Sequence, residues 1–186
     1  MNVRSLLVVP IMLALTSGTI ACENKQAPPV VTRSALVDSA DQVMFGARFN
    51  LTDKGLSRAE LVSDTAFFFD DNTRIELHKV EVTFYTASGA RDAYLTSKRG
   101  TYNSRVGSMI ARRDVVVITE EGRRLTTPYL KYDQQMNEIS SDSAFVLTEP
   151  GRRLEGIGFR SDPNMQNVQI MKTKSGNTGA VTLPGQ

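Results

Sequence analysis

Glu121-Gly122-Arg123-Arg124-Leu125 recurs as Pro150-Gly151-Arg152-Arg153-Leu154, which places Leu154 one period of 29 (154 minus 125) after Leu125. The repeat extends toward the N-terminus. Leu95-Thr96-Ser97…Tyr102-Asn103 aligns with Leu125-Thr126-Thr127…Tyr132-Asp133 at a spacing of 30 (125 minus 95). Each unit reads as a short strand ending in Tyr-Asn or Tyr-Asp, a polar turn, and a second strand such as Asp114-Val115-Val116-Val117-Ile118 or Ala144-Phe145-Val146-Leu147. A fixed period of this size marks stacked supersecondary units, each too small to bury its own apolar face.

The preceding residues read as β as well. Val43, Phe45 and Phe49 fall at even spacing in 43–51, and a strand over 56–64 follows the turn Asp53-Lys54-Gly55. Phe67-Phe68-Phe69 is a short buried run closed by Asp70-Asp71-Asn72. In 74–88, Val80, Val82 and Phe84 alternate with Glu81, Thr83 and Tyr85, which sends one set to a covered face and the other to water. Turn residues recur at Ser88-Gly89, Asn103-Ser104, Asp133-Gln134 and Pro150-Gly151. Apart from a short turn near Asp38, no helical stripe is found beyond the N-terminal segment. Short, evenly spaced strands define an all-β sandwich, roll or barrel, with its domain over 42–172.

The N-terminus is of a different kind. Arg4 precedes an apolar run over 6–15, and small or neutral residues lead to Thr19-Ile20-Ala21-Cys22. This is the layout of a secretory signal over 1–21, too short to span about 30 Å of hydrocarbon comfortably. It ends like a bacterial lipobox, so Cys22 is the expected lipidation site; the alternatives are an ordinary signal peptide with a chance cysteine or a short uncleaved anchor. More than one acyl chain, at ~0.8 kcal/mol per buried CH₂, gives a stable anchor. Residues 22–41 contain Pro28-Pro29 and no sustained period, and they read as a flexible tether. The Gly-containing end, 173–186, reads as a frayed tail.

Cleavage removes only Arg4 among the charges, leaving 21 basic residues of the original 22 against 20 acidic ones. A near-neutral chain has no footprint for nucleic acid. The single cysteine excludes an internal disulfide, and one cysteine with one histidine cannot build a zinc site. No phosphate-binding glycine loop and no Gly-x-Ser-x-Gly elbow occurs, so no cofactor or metal is expected, nor catalysis. A hydrolase would have to use His78 with a serine. Asp70-Asp71-Asn72 lacks the remaining ligands of a calcium loop and reads as a polar turn.

Two sets of residues carry binding chemistry. Arg123, Arg124, Arg152 and Arg153 hold matching places in successive repeats; they either offer planar donor forks to phosphates or are solvated turn charge balanced by Glu120, Glu121, Glu149 and Glu155. Phe69, Val82, Phe84, Val115, Val117 and Leu125 form one apolar series, continued by Leu130, Tyr132, Ile139, Phe145, Leu147, Leu154, Ile157 and Phe159. These either fill a closed core or line a groove for acyl chains. The end strands of such a roll carry unpaired backbone groups that invite another sheet.

An ordered series of motifs makes the reading specific. It runs Leu95-Thr96-Ser97, Gly100-Thr101-Tyr102, Asp114-Val115-Val116-Val117, Glu121 to Thr127, Leu130-Lys131-Tyr132-Asp133 and Asn137 to Asp142, and continues through Arg153 to Phe159. Over roughly 43–171 it resembles the LptC family of lipopolysaccharide-transport proteins. The resemblance implies a twisted β-jellyroll of stacked antiparallel strands with an open apolar groove, held at the periplasmic face of the inner membrane. It also implies that lipopolysaccharide is accepted from the ABC transporter LptB/LptF/LptG and passed to an LptA-like bridge protein by edge-strand pairing. The alternative is a scaffolding envelope lipoprotein with no lipid ligand. The chain departs from the family at two places: a lipidated Cys22, which suits either membrane, replaces the usual transmembrane helix, and Arg113-Asp114-Val115 stands where Gly-Asn-Val is usual.

Overall fold

The computed structural model describes residue 36 and residues 39–178. The signal, Cys22 and most of the tether therefore lie outside the described residues. Nine strands follow one another: β1 Gln42–Asp53, β2 Leu56–Phe69, β3 Arg74–Tyr85, β4 Arg91–Asn103, β5 Ser108–Thr119, β6 Arg124–Asp133, β7 Glu138–Glu149, β8 Arg152–Ser161 and β9 Gln169–Thr178. Each pairs antiparallel with its sequence neighbours in a single sheet ordered β1 to β9. β1 and β9 each have one neighbour, so the sheet has two edges. The period of 29 to 30 is one such strand pair with its turns.

Two boundaries differ from the sequence reading. Phe67-Phe68-Phe69 is not a separate element but the end of a continuous β2. β9 continues to Thr178, inside the stretch expected to fray. Its partner β8 supplies the pairing that composition cannot reveal, with Thr178 opposite Arg152.

A line of irregularities crosses the sheet. The β1–β2 ladder passes from Phe45↔Thr65 to Ala47↔Ser63 and skips Gly46, whose φ is +61°. Between β2 and β3, Asp64 and Lys79 are skipped, and between β3 and β4 the skipped residue is Lys98 opposite Lys79. The line continues through Arg113-Asp114 and Pro128, then Asp142-Ser143 and Gly158. Lys79, Arg113 and Asp114 all have positive φ. Such bulges bend a strand and increase its twist. Repeated in neighbouring strands, they fold the sheet along a seam. Paired charges lie along it: Lys79 Nζ is 2.6 Å from Asp64 Oδ2, and Lys98 pairs with Asp114.

The fold produces two limbs that face each other. One limb contains residues 66–69, 74–78, 99–103, 108–112, 129–133, 139–141 and 159–161; the other contains 47–53, 56–63, 80–85, 91–97, 115–119, 124–127, 144–149 and 152–157. Aromatic pairs bridge them. Phe84 meets Tyr132 edge-on at 4.9 Å between centroids, and Phe145 meets Phe159 at 5.1 Å. Phe49 contacts both Phe68 and Tyr102. This is the expected jellyroll, built by bending one meander.

Candidate functional site

Crossing the seam reverses the inward parity of most strands. In β3, Ile75 and Leu77 point inward before Lys79, and Val80, Val82 and Phe84 after it. In β6 the inward set is Leu125 and Thr127, then Leu130 and Tyr132. One skipped residue is enough, because side chains alternate with a period of 2. The result is a continuous apolar interior between the limbs.

Twelve of the expected groove residues share that interior. Val82, Phe84, Val115, Val117, Leu125 and Leu130 belong to it, together with Tyr132, Ile139, Phe145, Leu147, Leu154 and Phe159. All are at most 7% exposed, so they pack as a closed core in this state. Two others do not join them. Ile157 is absent from the core cluster and half-buried, because Gly158, at φ +73°, resets the parity between Leu154 and Phe159. Phe69 lies under the Arg74 guanidinium, 4.2 Å from its ring centroid, on the opposite side of β2 from the core residue Phe68. The interior also takes in Leu61, Leu77, Leu95 and Met109, which the sequence reading passed over. Their alternation within β2 to β5 was the available signal.

The margins of the two limbs, opposite the seam, are joined by side chains rather than by a strand ladder. Tyr102 Oη donates to Gln134 Oε1 at 3.3 Å, and Gln134 Nε2 donates to the carbonyl of Thr52. At the other end Arg123 Nη1 donates to the carbonyl of Asn164 at 2.9 Å, while its Nε lies 3.5 Å from Glu149. Asn164 also bonds Asp92, whose pKa burial raises above the usual carboxylate range. Arg123 is therefore engaged as a clasp. Arg152 faces Glu149 at 3.7 Å and Arg153 faces Glu155 at 2.9 Å. Arg124 is exposed, and it and Arg153 both pair in register with Thr148, so they share one face two strands apart.

The seam has a second feature. Between β6 and β7 the ladder stops after Thr126↔Val146 and resumes at Lys131↔Ser140. Hydroxyls fill the gap: Thr127 Oγ1 donates to the carbonyl of Ala144 at 3.0 Å, and Ser141 Oγ to that of Tyr129 at 2.7 Å. A cavity of about 780 Å³ opens beside this split, lined in part by Val116, Pro128, Ala144 and Val146.

His78 lies against Phe67, with ring centroids 4.9 Å apart, and its Nε2 has no hydrogen-bond partner. Desolvation, then Arg99, lowers its pKa from the ordinary histidine value. It holds no serine. Asp70 receives the Arg74 Nε–H at 3.1 Å, which makes its cluster a turn with a partner of its own. Among the described residues no group of three or more His, Cys, Asp or Glu side chains converges as a metal site, and no helix is long and apolar enough to cross a membrane.

A twisted antiparallel sheet rolled around an apolar interior, with β1 and β9 as edge strands among the described residues, defines a class of β-jellyroll proteins. The profile of the LptC family, described as lipopolysaccharide-assembly, LptC-related, matches residues 9–177. The chain belongs to this family, and its place is in lipopolysaccharide transport at the periplasmic envelope. A search of curated proteins returns no match.

Proposed function

We propose that this protein is the periplasmic acceptor that receives lipopolysaccharide from the LptB/LptF/LptG transporter and hands it to an LptA-like bridge. The observation that carries the reading is the construction of the roll. Its interior is apolar across both limbs, yet its margins are held by isolated clasps at Gln134 and Arg123. Parting two or three hydrogen bonds at a margin costs far less than breaking a nine-stranded ladder, since one bond contributes about 0.5–1.5 kcal/mol net. The seam acts as the hinge, and acyl chains take the place of contacts between the limbs.

No covalent bond of the lipid is made or broken in this cycle, and the transporter supplies the energy. The protein carries its ligand without a catalytic group. The lipid anchor at Cys22 keeps the roll near the inner membrane, and the 13 tether residues before the helical position Leu36 (23–35) would reach about 43 Å when extended. Arg124, which is exposed, and Arg153, once released from Glu155, are the contacts for lipid phosphates in this reading. The open edge of β9 offers backbone donors and acceptors to the bridge protein's sheet.

Reconstitution tests the reading. Vesicles holding lipopolysaccharide, LptB/LptF/LptG and this chain should release lipopolysaccharide to a soluble LptA-like acceptor when ATP is added. Release at the same rate without this chain would refute the role.

A further inference from the structure

A cavity opens beside the split between β6 and β7. Val116, Thr126 and Val146 line it from the outer face and are half-buried, and their inward neighbours Val115, Thr127 and Phe145, which are buried, line it as well. Pro128 and Ala144 extend the apolar floor and are exposed. The concavity has a structural cause: Pro128 offers no backbone N–H, so the β6–β7 ladder cannot close across it.

Charge is distributed unevenly around this floor. The lining holds two acids and three cations. Asp114 is paired with Lys98, and Glu155 with Arg153 from just outside the cavity. Arg113 and Lys174 make no ion pair within 4.0 Å among the described residues. Among the described residues the cavity therefore presents an apolar floor with two positive charges that have no ion-pair partner. Its volume of about 780 Å³ falls within the range of ordinary ligand pockets. An occupant must carry an apolar chain together with a negative headgroup. Arg favours phosphate in particular, because its planar fork donates to two oxygens at once.

We propose that this outer cavity binds an anionic phospholipid of the membrane, with acyl carbons on Val116, Pro128 and Val146 and the phosphate against Arg113 and Lys174. The site would fix the roll's orientation on the bilayer surface, a task that a flexible tether cannot perform. The vesicles that test it contain no lipopolysaccharide, so the outcome is independent of whether lipopolysaccharide enters between the limbs.

The test places a photoreactive side chain at Val116 in the full-length chain, reconstituted into vesicles of equimolar phosphatidylglycerol and phosphatidylcholine. Mass spectrometry of the adduct should find phosphatidylglycerol, and vesicles of phosphatidylcholine alone should give roughly tenfold less adduct. The double substitution R113Q/K174Q should reduce the phosphatidylglycerol adduct by a similar factor, whereas added glycerol phosphate should not compete. The same probe at Ala144, already exposed, keeps the test valid if a change at Val116 disturbs β5. Equal capture of both lipids, capture unchanged in R113Q/K174Q, competition by glycerol phosphate, or no adduct at either position would overturn the proposal.

Discussion

Thr127→Val isolates the device that lets the sheet bend without losing its interior. The substitution keeps shape and strand propensity and removes one hydroxyl. Thr127 is 6% exposed, and its hydroxyl occupies the gap where β6 and β7 have no ladder. Its single proton has two acceptors within reach, the carbonyls of Ala144 and Tyr129, each at 3.0 Å. Ser141 already serves Tyr129 at 2.7 Å, so the Thr127 proton belongs to Ala144. Valine leaves that carbonyl without its partner at the seam. Ala144 is exposed, so its carbonyl can turn to water; the lost hydrogen bond contributes about 0.5–1.5 kcal/mol, and the added methyl recovers part of it. For a chain of this size each kcal/mol corresponds to roughly 2–4 °C, so the melting temperature should fall by about 1–4 °C. Thr126→Val, one residue away and outward-facing, is the control and should change stability little. Urea unfolding followed by circular dichroism gives the comparison, with the slope unchanged and only the midpoint shifted. If Thr127→Val is as stable as Thr126→Val, the hydroxyls do not replace the missing ladder.

Further outcomes follow from the same geometry. Cys22→Ser should abolish incorporation of a palmitate analogue, and label that persists in the variant would rule out this anchor. His78 is the sole histidine, so one imidazole signal reports it, and its NMR titration midpoint should lie below 6.5 because desolvation and Arg99 disfavour the cation. The unfolded chain then binds the proton more readily, so this group's contribution to stability is complete above pH 6.5 and is lost as pH falls below it. His78→Gln should flatten that part of the stability profile, and a midpoint above 6.5 would contradict the burial argument. Successive residues of an antiparallel strand alternate in turning their N–H toward the partner strand or away. Of Lys172→Pro and Thr173→Pro, one should therefore loosen β9 from β8, and the other should leave the fold intact but lose capture of an LptA-like bridge. Undiminished capture by both folded variants would exclude this edge.

Much of this was legible in the sequence because strand and turn chemistry is local. The repeat spacing gave the strand pair, and Gly122 and Gly151 marked turns that the structure places between β5 and β6 and between β7 and β8. The seam was not legible. Each bulge adds or skips one residue, and a period-2 reading carried across it lands on the wrong face. Leu154, Ile157 and Phe159 read as one apolar series, yet the bulge at Gly158 leaves Ile157 on the other face. Phe69 misled differently: three consecutive phenylalanines occupy both faces of β2, and only Phe68 enters the interior. The clasps were beyond reach because Gln134 and Thr52 lie 82 positions apart, and neither residue type signals the contact. Arg123 and Arg124 look alike in the sequence, yet one closes a margin and the other is exposed, since a turn geometry separates them.

The central claim is that lipopolysaccharide lies between the limbs, and adjacent positions of β5 test it most directly. Val117 is fully buried and Ile118 is 40% exposed on the opposite face. A small diazirine side chain at each position, in the full-length chain with LptB/LptF/LptG, lipopolysaccharide and ATP, reports which face the lipid touches. The account predicts an ATP-dependent lipopolysaccharide adduct at position 117 and none at 118. Equal adducts at both positions, or an adduct at 118 alone, would contradict it.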